Sequence, residues 1–133
     1  MDKSHVHFEL TGAVIGCAME VHRELGAGFQ EVVYQRSLEV EMTQAGLDFG
    51  REVEIPIYYK GRQVGLRRVD FLVGDVVSVE LKAVGTLDSV HQAQAINYLE
   101  AFNFEIGLLI NFGGERLEFR RLFNNRYNAN RRL

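Results

Sequence analysis

The chain has no tryptophan, one proline and one cysteine. The lone thiol, Cys17, lies in an apolar helical pattern, which excludes an intrachain disulfide and fits a reducing compartment. The N-terminal stretch MDKSHVHFEL has no long apolar run, so neither a signal peptide nor a membrane span is expected and the reading is cytoplasmic. There is no low-complexity stretch, no internal repeat, and nothing resembling a zinc site, a P-loop, a GxGxxG loop or a Ser/His/Asp arrangement. Cations are also short: 15 Lys and Arg against 18 Asp and Glu give a net charge of −3. That argues against a protein coating nucleic acid by bulk electrostatics, so any phosphate binding has to come from local Lys/Arg clusters.

What is present is an ordinary globular composition, 47% hydrophobic and 25% charged over 133 residues. This bounds the chain to one domain over residues 1–133, with its core at about 8–123. Val14, Ala18, Val21 and Leu25 recur at helical spacing, with Ile15, Met19 and His22 on an adjacent stripe. Thr11 is the expected N-cap and Gly26 the stop. A second helix is expected near Gln30 to Ala45, with the stripe Tyr34, Leu38, Met42 and Ala45. The pattern then alternates. Strands are read at REVEIPIYY (where Pro56 suggests an edge or bulge), from Gln63 through Val73, and from Val76 to Ala83. A third helix, capped by Thr86, Asp88 or Ser89, runs to about Phe102 with Ala93, Ile96, Leu99 and Phe102 inward. Glu105 to Asn111 and Leu117 to Phe123 complete the order ααβββαββ, an α/β fold with a mixed sheet flanked by helices. After Glu118 no acid occurs, while Arg120, Arg121, Arg126, Arg131 and Arg132 follow. Residues 124–133 are expected to be a solvated, partly disordered Asn/Arg tail, with a phosphate-contacting arm as the alternative.

Three charges inside apolar strands carry the functional reading: Asp70 in RRVDFLVGD, and Glu80 and Lys82 in VVSVELKAV. Charges there are costly unless paired or bound. A two-residue loop at Gly74-Asp75 would put Asp70 and Glu80 on opposite faces and leave both faces mixed. Shifting the register by one residue gathers Val69, Phe71, Val73, Val77, Val79 and Leu81 on one apolar face, with Asp70, Leu72, Ser78, Glu80 and Lys82 on the other. The segregated register is the expected one, and it places Asp70 directly across from Glu80. Two unpaired carboxylates there repel, and a metal ion or Lys82 would relieve them. On the third helix His91, Gln94 and Tyr98 share a face that would border the same cleft. Glu31 opens the second helix, where an acid also suits the helix dipole. It shares a face with Tyr34 and Leu38 and is a candidate third metal carboxylate.

These residues resemble a known family. GFQEVVY, Gly28 through Tyr34, matches the GxxExxY pattern of the GxxExxY proteins, small and mostly prokaryotic members of the PD-(D/E)xK nuclease-like superfamily. AVIGCAMEVHRELGAGFQE, IPIYYKGRQVG, RRVDFLV, VSVELKAV, HQAQAINYL and IGLLINFG are similar to the family as well. The resemblance implies a restriction-endonuclease-like core. It implies Asp70, Glu80 and Lys82 as catalytic residues, with Glu31, Asp70 and Glu80 as metal ligands. Gln94 and Tyr98 match a QxxxY motif that contacts substrate or supports the site, with His91 beside them. Val69 stands where the superfamily pattern has proline. The implied activity is phosphodiester hydrolysis in nucleic acid, DNA in preference to RNA, with Mg²⁺ or Mn²⁺ as cofactor. The alternative is a non-catalytic nucleic-acid-binding or accessory module that keeps the fold. Edge strands leave room for a homodimer or a protein partner.

Overall fold

The computed structural model describes residues 7–131. Two helices, α1 (Phe8–Leu25) and α2 (Glu31–Gln44), precede three strands, β1 (Phe49–Tyr59), β2 (Arg62–Val73) and β3 (Val77–Lys82). Helix α3 (Ser89–Phe102) then crosses over to β4 (Ile106–Asn111) and β5 (Glu118–Phe123). The expected order ααβββαββ is the observed one. The strands form a single sheet in sequence order, antiparallel throughout except for the parallel pair β3–β4 that the α3 crossover connects. Pro56 sits in β1, an edge strand, where its missing N–H costs no ladder bond. No described helix is long and apolar enough to cross a membrane.

The β2–β3 register is the segregated one. Phe71 pairs with Val79, Leu72 with Ser78 and Val73 with Val77, leaving a three-residue loop in which Gly74 and Asp75 both take positive φ, at 59° and 60°. Phe71, Val73, Val77, Val79 and Leu81 therefore join one core with α1 and α2, filled out by Val14, Val21, Tyr34, Leu38 and, from β4, Ile106, Leu108 and Ile110. On the other face a smaller cluster, Leu87, Leu99, Leu109 and Leu122, seats α3. Gly107 sets how closely that helix lies: a Cβ there would come within 2.8 Å of Leu99 Cδ2.

Four local expectations need correction. Helix α1 starts three residues before Thr11, and the Thr11 hydroxyl donates back to the carbonyls of His7 and Phe8 instead of capping. Met19 and Ala45 are exposed despite their helical spacing. On α3 the inward residue is Ala95, not Ala93, which faces out. The Asn/Arg tail is also tied down as far as it is described. Buried Asn124 donates to the carbonyls of Leu99 and Phe104, Asn103 bonds Asn128 in both directions, and Arg131 donates to the carbonyls of Glu100 and Ala101. Asn124 and Arg131, read as solvating, here donate to carbonyls at and just past the end of α3.

Candidate active site

The ladder between β2 and β3 stops one step short of the acids. Continuing the pairing beyond Phe71–Val79 would set Asp70 against Glu80, but the strands part there. The Leu81 N–H, which would have gone on with the ladder, donates to Asp70 Oδ2 at 2.8 Å. Beyond this fork β2 pairs only with β1, as a ribbon that runs out to the turn at Lys60-Gly61. The fork thus opens the sheet where it presents two carboxylates.

Asp70 is held by its neighbours. Its Oδ1 accepts from Gln35 Nε2 of α2 at 2.9 Å, and Gln35 Oε1 in turn accepts from Arg51 Nη1 at 3.2 Å. Arg51 also pairs with Glu39 at 3.1 Å, so the orientation of the Gln35 amide is set by a chain of partners. Glu80 lies deeper, on the α3 side. Its Oε2 pairs with Arg67 Nη2 at 3.1 Å, and the Arg67 guanidinium lies 4.3 Å over the Tyr98 ring. With both carboxyls ionised, Glu80 Oε1 and Arg67 Nε are buried without a hydrogen-bond partner among the described residues.

The electrostatics follow from this packing. Burial pushes the Glu80 carboxyl up to about 7; the adjacent Arg67 pulls it back, Asp70 raises it by charge and by hydrogen bonding, and Lys82 lowers it least. Asp70 thus acts on Glu80 across the fork. Glu31 is exposed as a residue, yet its carboxyl is also raised, first by desolvation, then opposed by Lys82, raised by Asp70 and opposed by Arg67. The charges it feels are those of the fork. Lys82, half-buried, lines the cleft without an ion pair to either strand acid among the described residues.

The position of Glu31 has a local cause. Gly28, at φ 110°, turns the chain into α2. Tyr34, fully buried and stacked on Phe112 at 4.7 Å between centroids, donates its hydroxyl to Gly26 O at 2.6 Å and accepts from Phe29 N–H. The glycine and tyrosine of the GxxExxY segment thus fix the linker from which the glutamate projects.

Helix α3 closes the other side. Asp88 caps it and exchanges bonds with His91 in a capping box, so His91 is a capping residue that also lines the cleft. Arg67, Glu80, Lys82, His91, Gln94 and Tyr98 enclose about 10 Å³ of free space, room for roughly one water. The structure thus gathers Asp70, Glu80, Lys82, His91, Gln94 and Tyr98, with Glu31 within electrostatic reach. Sequence reasoning missed Arg67 and Gln35. Beside the metal or Lys82 that the sequence suggested, Arg67 pairs with Glu80 and the Gln35 amide donates to Asp70.

The donor set fits a hard divalent cation. Two converging carboxylates, one with an unpartnered buried oxygen, suit an ion that takes one or two protein carboxylates and completes its shell with water and phosphate. A full protein cage is not assembled: among the described residues no three His, Cys, Asp or Glu side chains cluster closely enough to hold an ion.

Comparison with known proteins agrees with this geometry. The family model described as the PD-(D/E)XK nuclease superfamily matches residues 8–122. Among solved structures the chain is similar to one titled "Crystal structure of SSO0001", with a TM-score of 0.51 and 19% identity over 69% of this chain and 48% of that one. That likeness supports the fold alone, and the chain spans about half the length of the protein it matches. No curated protein matches the chain.

Proposed function

This chain belongs to the PD-(D/E)XK nuclease superfamily, and on that premise we propose that it is a divalent-metal-dependent nuclease hydrolysing phosphodiester bonds in nucleic acid. The observation that carries the proposal is the convergence of Asp70 and Glu80 at the strand fork, with Lys82 beside them and α3 closing the cleft. Asp70 and Glu80 would hold the cation, with Glu31 supporting it directly or through water. A cation so placed supplies a polarised phosphate oxygen and a water acidic enough to attack near neutral pH. The Lys82 ammonium is placed to orient that water or to offset charge building on the phosphate. Gln35 holds Asp70 in its rotamer. Gln94, Tyr98 and His91 form the wall against which substrate would sit.

Within the superfamily we assign the chain to the GxxExxY proteins, on the Gly28–Tyr34 segment and its structural role. We take residues 1–133 as one domain, DNA rather than RNA as substrate, Mg²⁺ or Mn²⁺ as the ion, and the cytoplasm as the location. The test is a cleavage screen of the purified protein over single- and double-stranded DNA and RNA with either metal, alongside Glu80→Ala and Lys82→Ala. Cleavage lost in both folded variants supports the reading; a folded wild type that cuts nothing with either ion sinks it. One observation favours a second reading, a non-catalytic binding module: Arg67 already neutralises Glu80 without any ion.

A further inference from the structure

The cleft at Glu80 does not end there. Gln94 lines both the inner cleft and a shallow hollow shared with Val90 and Ala93, and Asn97 lines both that hollow and a wider groove farther along α3. The groove has a volume of about 530 Å³ and lies between Ile57 and Tyr58 of the β1–β2 ribbon and Asn97 and Ala101 of α3, ending at Arg126 and Arg131. From Gln94 to Ala101 the helix rises about 10 Å, the span of roughly three stacked nucleotides.

The charge distribution singles this track out. Residues 56–69 carry four cations and no acid, and residues 119–133 carry five cations and no acid, in a chain of net charge −3. Each segment reaches the groove, one through Ile57 and Tyr58 and the other through Arg126 and Arg131, and the same ribbon supplies Arg67 at its inner end. Tyr58 is 48% exposed, which leaves an aromatic ring free to stack on an unpaired base. Arg131 is committed to the carbonyls at the end of α3, but Arg126 is exposed and its side chain pairs, among the described residues, with Glu100 alone, at 3.8 Å.

We propose that this groove is a binding track for single-stranded nucleic acid leading to the fork, with Arg126 taking a phosphate in exchange for Glu100 and Tyr58 stacking a base. The proposal rests on the nuclease reading for what lies at its inner end, and it assigns the tail arginines a role that the site itself does not use. A groove of this volume admits one or two nucleotides and not a duplex, and a stacking ring is of use only against bases already unpaired.

The test is binding of a labelled single-stranded oligodeoxynucleotide and of the matching duplex to the full chain in chelator, at low and moderate salt. Arg126→Glu should weaken single-strand binding about tenfold and flatten its salt dependence by about one to two in log–log slope. Glu100→Gln should tighten it about threefold by removing the competing acid, a gain that damage to the fold would not produce. Tyr58→Ala should weaken it about fivefold or more. Wild-type affinity in folded Arg126→Glu and Glu100→Gln overturns the track, as does tighter binding of duplex than of single strand. Opposite shifts in the two charge variants, in a protein that cuts nothing, would keep the track and discard the nuclease. Self-association that Arg126→Glu abolishes, without nucleic-acid binding, would make the groove an interface between copies and overturn the proposal.

Discussion

Two polar clusters, one around Asn111 at the end of β4 and one around Glu80 of β3, differ in one respect. Around Asn111 every group is matched: its amide donates to Val84 O and Glu118 Oε1, its carbonyl accepts from Val84 N–H and Gly113 N–H, and Glu118 also accepts from Leu87 N–H. A Cβ on Gly113 would collide with the Val84 backbone, so the loop after β3 is clamped to the end of β4. Around Glu80 the match fails, with one carboxylate oxygen and one guanidine nitrogen buried and unpartnered. The carboxyl groups record the contrast. Hydrogen bonding from Asn111 and then from Leu87 N–H holds Glu118 below the ordinary carboxylate range, whereas burial lifts Glu80 to about 7. A satisfied cluster braces the fold; a half-satisfied one in a cleft is where chemistry is expected.

The largest effect expected from breaking this contrast is on catalysis. Glu80→Ala or Lys82→Ala should lower cleavage by about a thousandfold or more, measured as initial rates with circular dichroism confirming the fold. Next comes Asn111→Ala, which strands several buried groups. It should cost roughly 3 kcal/mol in chemical denaturation, against little or no cost for Glu80→Gln.

The pH dependences should run in opposite senses. Because the folded state raises the Glu80 pKa from 4.5 to about 7, the native protein binds the extra proton between those values. The contribution of Glu80 to stability is therefore full below about pH 4.5 and lost as pH rises through 7. Glu80→Gln should thus gain on wild type by roughly 2 kcal/mol above pH 7 and match it near pH 4. Glu118, held low, contributes stability above its unfolded pKa and loses it as pH falls. Glu118→Gln should be the less stable protein at neutral pH and converge with wild type in acid. Melting temperatures across pH check both. The smallest expected effect is from metal: millimolar Mg²⁺ or Mn²⁺ should stabilise wild type by about 1 kcal/mol and leave Glu80→Gln unmoved.

The β2–β3 register was legible in the sequence because strand side chains alternate with period 2, whereas the parting of the strands at Asp70 was not. A register of this parity sends Phe71, Val73, Val77 and Val79 to the same side, and the observed pairing carries Asp70 and Glu80 to the point where the strands part. The same rule hid Arg67. Strict alternation groups it with Val69 and Phe71, but β2 leaves β3 at Asp70, and the freed ribbon lets the guanidinium reach Glu80 and Tyr98. Gln35 was hidden for a different reason. A glutamine in a polar helix reads as solvated until tertiary contacts bury it, and its partners Asp70 and Arg51 lie on strands far along the chain. The tail misled in a similar way, since Asn124 looks like a solvent-facing residue until the carbonyls of Leu99 and Phe104 that it serves are in place.

The account depends on the unsatisfied cluster being a cation site. Calorimetric titration of Mn²⁺ into wild type and into Glu80→Gln, at a pH above 7, tests that directly. The account predicts a saturable binding heat in the micromolar-to-millimolar range for wild type and none for the variant. Equal heats in the two proteins, or no heat in either, would contradict it.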